Sequence, residues 1–131
     1  MHKVQFLKKQ KILHLATIDN KGTPHLVPVW YKYIGKKFYI GTNTKTSKAK
    51  NIAKSNKVCF CIDAGVWSPI DGVMGTGRAK LIKDSDKVKK IASQILLRYF
   101  KTLKGRSAKQ LLDQTDCIIE ITPLRVTSWH Y

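Results

Sequence analysis

Between Phe38 and Asn51 the chain reads FYIGTNTKTSKAKN. Thr42, Asn43, Thr44, Thr46 and Ser47 crowd hydroxyl and amide groups into a few residues, and Lys45, Lys48 and Lys50 add ammonium groups beside them. An apolar strand pattern stops at Gly41 and a helical pattern starts near Ser47, so these groups gather where a strand hands over to a helix. The first N–H groups of a helix lack intrahelical partners, and the helix dipole favours an anion there. Such a corner suits a phosphate. The competing reading is an ordinary N-cap, Thr46 or Ser47, followed by a solvated Lys-rich helix. From this segment alone both stand.

The rest of the composition narrows the field. A chain of 131 residues with 43% hydrophobic content fits one globular domain, residues 1–131, with a sizeable core. No run approaches the length of a membrane span, and the N-terminal stretch MHKVQFLKKQK lacks the continuous apolar core of a signal peptide, so a cytoplasmic protein without membrane contact is expected. Cys59 and Cys61 point to the same side of a strand, a poor geometry for a mutual disulfide, and no matching Cys or His pair suggests zinc. Buried free thiols are expected at Cys59, Cys61 and Cys117, with no metal site. His14, His25 and His130 show no ligand spacing and read as structural. The eight acidic residues mostly sit where turns and helix caps want them, which argues against a paired-carboxylate hydrolase or a magnesium site.

The formal net charge is +17, and all of the 25 basic residues except Arg78, Arg98, Arg106 and Arg125 are lysine. Such a surface attracts anions in general. Nucleic acid is a candidate partner, but base readout usually relies on arginine forks, and here lysines are spread along the whole chain. An anionic ligand and plain solvation remain equally open.

Along the chain, Val4 to Gln10 reads as a short amphipathic helix and Ile12 to Asp19 as a strand. Asp19-Asn20-Lys21-Gly22 is a hairpin turn. Thr23 to Tyr33 returns as a second strand, with an irregular or edge segment at Pro24 and Pro28, which lack a backbone donor. Strands follow at Phe38–Gly41, Lys57–Asp63, Gly72–Ile82 and Cys117–Thr127, the last bent at Pro123 with Trp129 just beyond. Gly75 and Gly77 leave one strand face bare, which admits a bulge or the close approach of something flat. Helices are expected at Ser47–Ser55, at Asp84–Lys101 with Val88, Ile91, Ile95, Leu96 and Tyr99 on its apolar face, and at Ser107–Gln114. Six antiparallel strands with a helical insert at about 84–114 point to a mainly β barrel with helices at its side, not to a doubly wound dinucleotide fold.

The ordered set LATIDNKGTPHLVPVWYKYIGKKFYIGTNTKTSKAKNI, VCFCID, GVMGTGRAKLIKD and IIEITPLRVTSW resembles the pyridoxamine 5'-phosphate oxidase-like, FMN-binding split-barrel family. The likeness covers Leu15 to Asp84 and Cys117 to Trp129. It implies a six-stranded antiparallel split barrel and a homodimer with cofactor sites at the subunit interface. The cofactor is FMN or, in a sister branch, the deazaflavin coenzyme F-420; some members bind haem. By the resemblance, the backbone of Val27, Pro28, Val29, Trp30 and Tyr31 would lie along the flavin ring, flanked by Thr42 and Asn43. Ser47, Lys48 and Asn51 would approach the phosphate. Trp67 and Ser68 would come from a loop near the ring, and Trp129 would cap the pocket at the dimer interface.

Two features depart from the family pattern. Thr46 stands where an arginine is common two residues before the phosphate-side lysine, with Lys45 and Lys50 nearby. The C-terminal extension that true pyridoxamine-phosphate oxidases use for substrate is absent after Tyr131, so vitamin B6 oxidation is not expected. The resulting expectation is an oxidoreductase that uses FMN, with deazaflavin as the alternative, on a small organic substrate. Because the flavin carries the redox chemistry, no side chain need serve as a catalytic acid or base. The rival class is a non-enzymatic binder of flavin, haem or nucleic acid.

Overall fold

The computed structural model describes residues 3–131. Strands β1 (Leu13–Ile18) and β2 (Pro24–Val29) form the first hairpin, with Leu13 opposite Val29 and Ile18 opposite Pro24. Its turn is set by Asp19, whose carboxylate accepts from the N–H groups of Lys21 and Thr23, and by Gly22 at φ +81°. Strands β3 (Lys32–Ile34) and β4 (Lys37–Thr42) form the second hairpin, through Gly35 and Lys36, both at positive φ. Strands β5 (Lys57–Ala64), β6 (Asp71–Ile82) and β7 (Cys117–His130) complete one antiparallel sheet in the order β2-β1-β5-β6-β7-β4-β3.

The sheet therefore has seven strands, not the six expected. The segment Thr23–Tyr33, read as one strand, is two. Strand β2 pairs with β1 and strand β3 with β4, and they lie at opposite edges of the sheet. Only Trp30 and Tyr31 join them. A link of two residues can connect both edges only if the sheet curls round on itself, which makes a barrel split at Trp30–Tyr31. Pro24 and Pro28 fall on edge strand β2, where a missing donor is tolerated.

Leu13, Leu15, Phe38, Phe60, Ile62 and Ile119 fill the barrel interior, with the Phe38 and Phe60 rings 4.9 Å apart. Gly75 and Gly77 let β7 close onto this core. A Cβ at Gly75 would collide with the Arg125 carbonyl and lie 2.9 Å from Phe60, and one at Gly77 would lie 2.8 Å from Ile121. The register slips between Thr76 and Gly77, which face Arg125 and Pro123, so Leu124 is the bulged residue. Strand β7 runs on to His130 and thus includes Trp129.

Helix α3 (Ser85–Leu96), capped by Asp84 accepting from the Lys87 N–H, packs Val88, Ala92 and Ile95 against Ile118 on the outer side of β7. Helices α1 (Val4–Lys9) and α2 (Ser47–Lys54) add Leu7 and Ile52 to the barrel core, and α4 (Arg106–Gln114) packs Leu112 against the cluster under α3. Of the three thiols only Cys117 is buried; Cys59 is exposed and Cys61 half-buried, because the alternation of β5 turns both outward. No helix among the described residues is long and apolar enough to cross a membrane.

Candidate cofactor cleft at the barrel seam

The seam leaves the backbone of Trp30 and Tyr31 without ladder partners, and side chains from beyond α3 take their place. The Tyr31 N–H donates to the Tyr99 hydroxyl at 3.0 Å. The Arg98 guanidinium donates to the carbonyls of Tyr31, Lys8 and Gln10, tying the seam to the end of α1. Its planar fork suits several carbonyls at once. The Trp30 ring lies parallel to Tyr99 at 4.1 Å and edge-on to Phe100 at 5.8 Å. Tyr31 itself is core: its hydroxyl donates to the Leu7 carbonyl, and burial pushes its pKa up to about 12.

Beside the seam opens a cleft of about 380 Å³, within the usual size range of small-molecule sites. Pro28, Val29 and Trp30 form one wall, Gly41 and Lys48 the base, and Ala92, Ile95, Leu96, Leu111 and Thr115 the opposite wall. The lining is apolar except for Lys48 and Thr115. Burial holds the Lys48 ammonium below its usual range, and among the described residues it makes no ion pair.

The turn before α2 shows why Lys48 points here. Thr46 is the N-cap, its hydroxyl accepting from the Ala49 N–H at 3.4 Å and bonding the Thr42 hydroxyl at 3.0 Å. The Asp116 carboxylate accepts from the Thr44 N–H and hydroxyl, and the Asn43 amide donates to the Gln114 carbonyl. The hydroxyls and amide of Thr42, Asn43, Thr44 and Thr46 are thus spent on building the corner. Unbonded at this corner, among the described residues, are the Ser47 hydroxyl, the N–H groups of Ser47 and Lys48, and the ammonium groups of Lys45, Lys48 and Lys50, of which Lys48 alone lines the cleft.

The structure sorts the expected site residues into three groups. Pro28, Val29, Trp30 and Lys48 line one cleft. Val27, Tyr31, Thr42, Asn43, Ser47 and Asn51 do not line it: Val27 and Tyr31 belong to the barrel core, Thr42 bonds Thr46, Asn43 donates to the Gln114 carbonyl, and the Asn51 amide donates to Thr17. Trp67, Ser68 and Trp129 lie apart from it: the Trp67 side is 84% exposed, Ser68 donates to the Tyr131 carbonyl, and the Trp129 ring covers Gly72. Sequence reasoning missed the wall supplied by α3 and α4. The apolar face of α3 was legible, but not what it would face.

Of the described histidines, His14 lies 3.8 Å from Asp63 and His130 is bonded to Asp71, and none lines the cleft. No cluster of His, Cys, Asp or Glu among the described residues could hold a metal.

Comparison with solved structures gives the same architecture. A conserved hypothetical protein from Mycobacterium tuberculosis is 25% identical, with a TM-score of 0.83 over 96% of this chain and 81% of that one. An FAD-binding protein from Mesorhizobium loti (16%, TM-score 0.75, 99% and 93% covered) and the haem storage protein HutZ from Vibrio cholerae (16%, 0.74, 94% and 89%) share the fold. Comparison with curated proteins found no match. The sequence matches the pyridoxamine 5'-phosphate oxidase family over residues 2–130, and with its split barrel the chain belongs to that family.

Proposed function

We propose that the chain is a flavin-dependent oxidoreductase that holds FMN in the seam cleft and acts on a small organic substrate. One observation carries this reading: Lys48 is a partly desolvated cation at a helix N-terminus, in an apolar cleft, with no carboxylate paired to it among the described residues. A partly desolvated charge without a partner costs some free energy, and an incoming phosphate would offset that cost. The Lys48 ammonium and the N–H groups of Ser47 and Lys48 would hold the phosphate. Pro28, Val29 and Trp30 on one side and Ile95 and Leu96 on the other would take the flat, apolar ring and exclude water from it. The flavin, when bound, supplies the hydride or electron transfer.

Haem fits this cleft less well. Among its described lining residues there is no His, Cys, Met or Tyr to ligate iron. Deazaflavin coenzyme F-420 remains the second reading, favoured by the +17 charge, which would welcome an anionic tail.

The same reading includes a homodimer. Leu26 (67% exposed), Leu124 (56%) and Met74 (49%) expose apolar side chains on the outer face of the sheet. A second copy covering that face would bring its own Trp67, Ser68 and Trp129 toward the cleft. The first test is the absorption spectrum of the protein as purified, with mass identification of whatever is released on denaturation. A yellow protein releasing FMN is expected. Colourless protein that leaves flavin fluorescence unquenched at high micromolar FMN contradicts the proposal.

A further inference from the structure

The face of α3 turned away from the seam lines a second depression. One part, of about 560 Å³, lies between edge strand β3, the end of α1 and Arg98. The adjoining part, of about 430 Å³, lies between α3, β4 and β6. Ile34 and Gln94 line both, so the two form one groove. The spacing of Lys87, Lys90, Ile91 and Gln94 puts them on one side of α3, while Ala92 and Ile95 face the seam cleft.

Charge in this groove is one-sided. Lys8 and Lys32 stand at one end and Lys80, Lys87 and Lys90 at the other. Glu120, the one acid lining it among the described residues, is already held by Lys37 at 3.5 Å and Lys80 at 3.7 Å. Between the lysines the floor is apolar: Ile34 is 40% exposed, and Ile82 and Ile91 are half-buried beside it. Little aromatic face is offered for base stacking by the tyrosines that line it, since Tyr33 is 7% exposed and Tyr39 packs against the cluster under α3. Strand β3 is a sheet edge, and among the described residues no backbone group other than those of β4 pairs with it.

We infer that this groove docks an extended acidic peptide segment of a partner protein. A strand that alternates acidic and apolar residues presents carboxylates on one side and apolar groups on the other. Its carboxylates meet Lys87, Lys90 and Lys32, its apolar side chains rest on Ile34 and Ile91, and the edge of β3 is available for strand addition. The inference does not depend on the flavin reading, because no residue that would hold the cofactor takes part.

The test is fluorescence anisotropy with a short labelled peptide alternating Glu and Val, against the full chain and two double variants of equal charge change. K87E/K90E alters the groove; K104E/K109E alters surface lysines outside it. The groove variant is expected to weaken binding by roughly tenfold or more and the control by about twofold or less, because local charge pairs add to a general field. Ile34→Asp, on an exposed side chain, is expected to weaken the peptide as well. Equal losses in the two double variants overturn the proposal. So does tighter groove-dependent binding of a labelled oligo-dT or of polyphosphate than of the peptide, which would make the partner a nucleic acid or another polyanion.

Discussion

Lys48 concentrates the functional argument in one side chain. Burial favours its neutral amine, so its folded pKa lies below the ordinary 10.5. Between those two values the unfolded chain holds more protons than the folded one. The contribution of this group to stability therefore rises with pH through that window, and its burial cost is felt fully below it. A phosphate ligand needs the charged form. FMN binding is expected to be strongest near neutrality and to weaken as pH climbs through the depressed value, at a pH where ordinary lysines are still charged. Lys48→Arg keeps its charge throughout and should flatten that alkaline fall. Fluorescence titrations of FMN at a series of pH values check this; parallel profiles for the two proteins would remove Lys48 from the phosphate. This residue was legible in the sequence because its spacing from the end of a strand is local. The capping role of Thr46 was also open to sequence reading, but the spent hydroxyl of Thr44 was not, because its partner is Asp116, which only the fold brings to that corner.

At the scale of elements, the seam is the feature on which the cleft depends. Arg98 answers three carbonyls that belong to α1, its following loop and the seam, and its guanidinium lies 4.8 Å from the Tyr31 ring. Arg98→Ala is expected to lower stability by about 2–4 kcal/mol, since it leaves those carbonyls without their charged donor. Arg98→Lys should recover only part of that, because an ammonium cannot serve the fork. Urea unfolding at unchanged m reads both; a loss within about 0.5 kcal/mol for Arg98→Ala would mean that the clamp is ornamental to the fold. Most strands, the Asp19–Gly22 turn and the apolar face of α3 could be read from periodicity and turn chemistry. The division of Thr23–Tyr33 could not, because both halves are extended and differ only in which neighbour they pair with. Nor could the walling of the cleft by Ala92, Ile95 and Leu111, which depends on where the 84–114 region docks.

For the whole molecule, the proposed homodimer joins two observations, the exposed apolar side chains of the outer sheet face and the placement of Trp67 and Trp129 away from the cleft. If a second copy covers that face, Leu26→Asp with Leu124→Asp should turn a dimer into a 14.9 kDa monomer in sedimentation and weaken FMN binding, because the partner's aromatic groups are lost. A wild-type protein that sediments as a monomer would leave those tryptophans without a route to the cleft. The central claim is that the seam cleft recognises a flavin through the phosphate held at Lys48. The most direct measurement is a binding cycle: FMN and riboflavin titrated against the wild-type chain and against Lys48→Ala. The wild type should prefer FMN to riboflavin by about 1–3 kcal/mol, and Lys48→Ala should lose most of that preference while keeping its riboflavin affinity. Equal affinity of the wild type for the two flavins, or an undiminished preference in Lys48→Ala, would contradict the account.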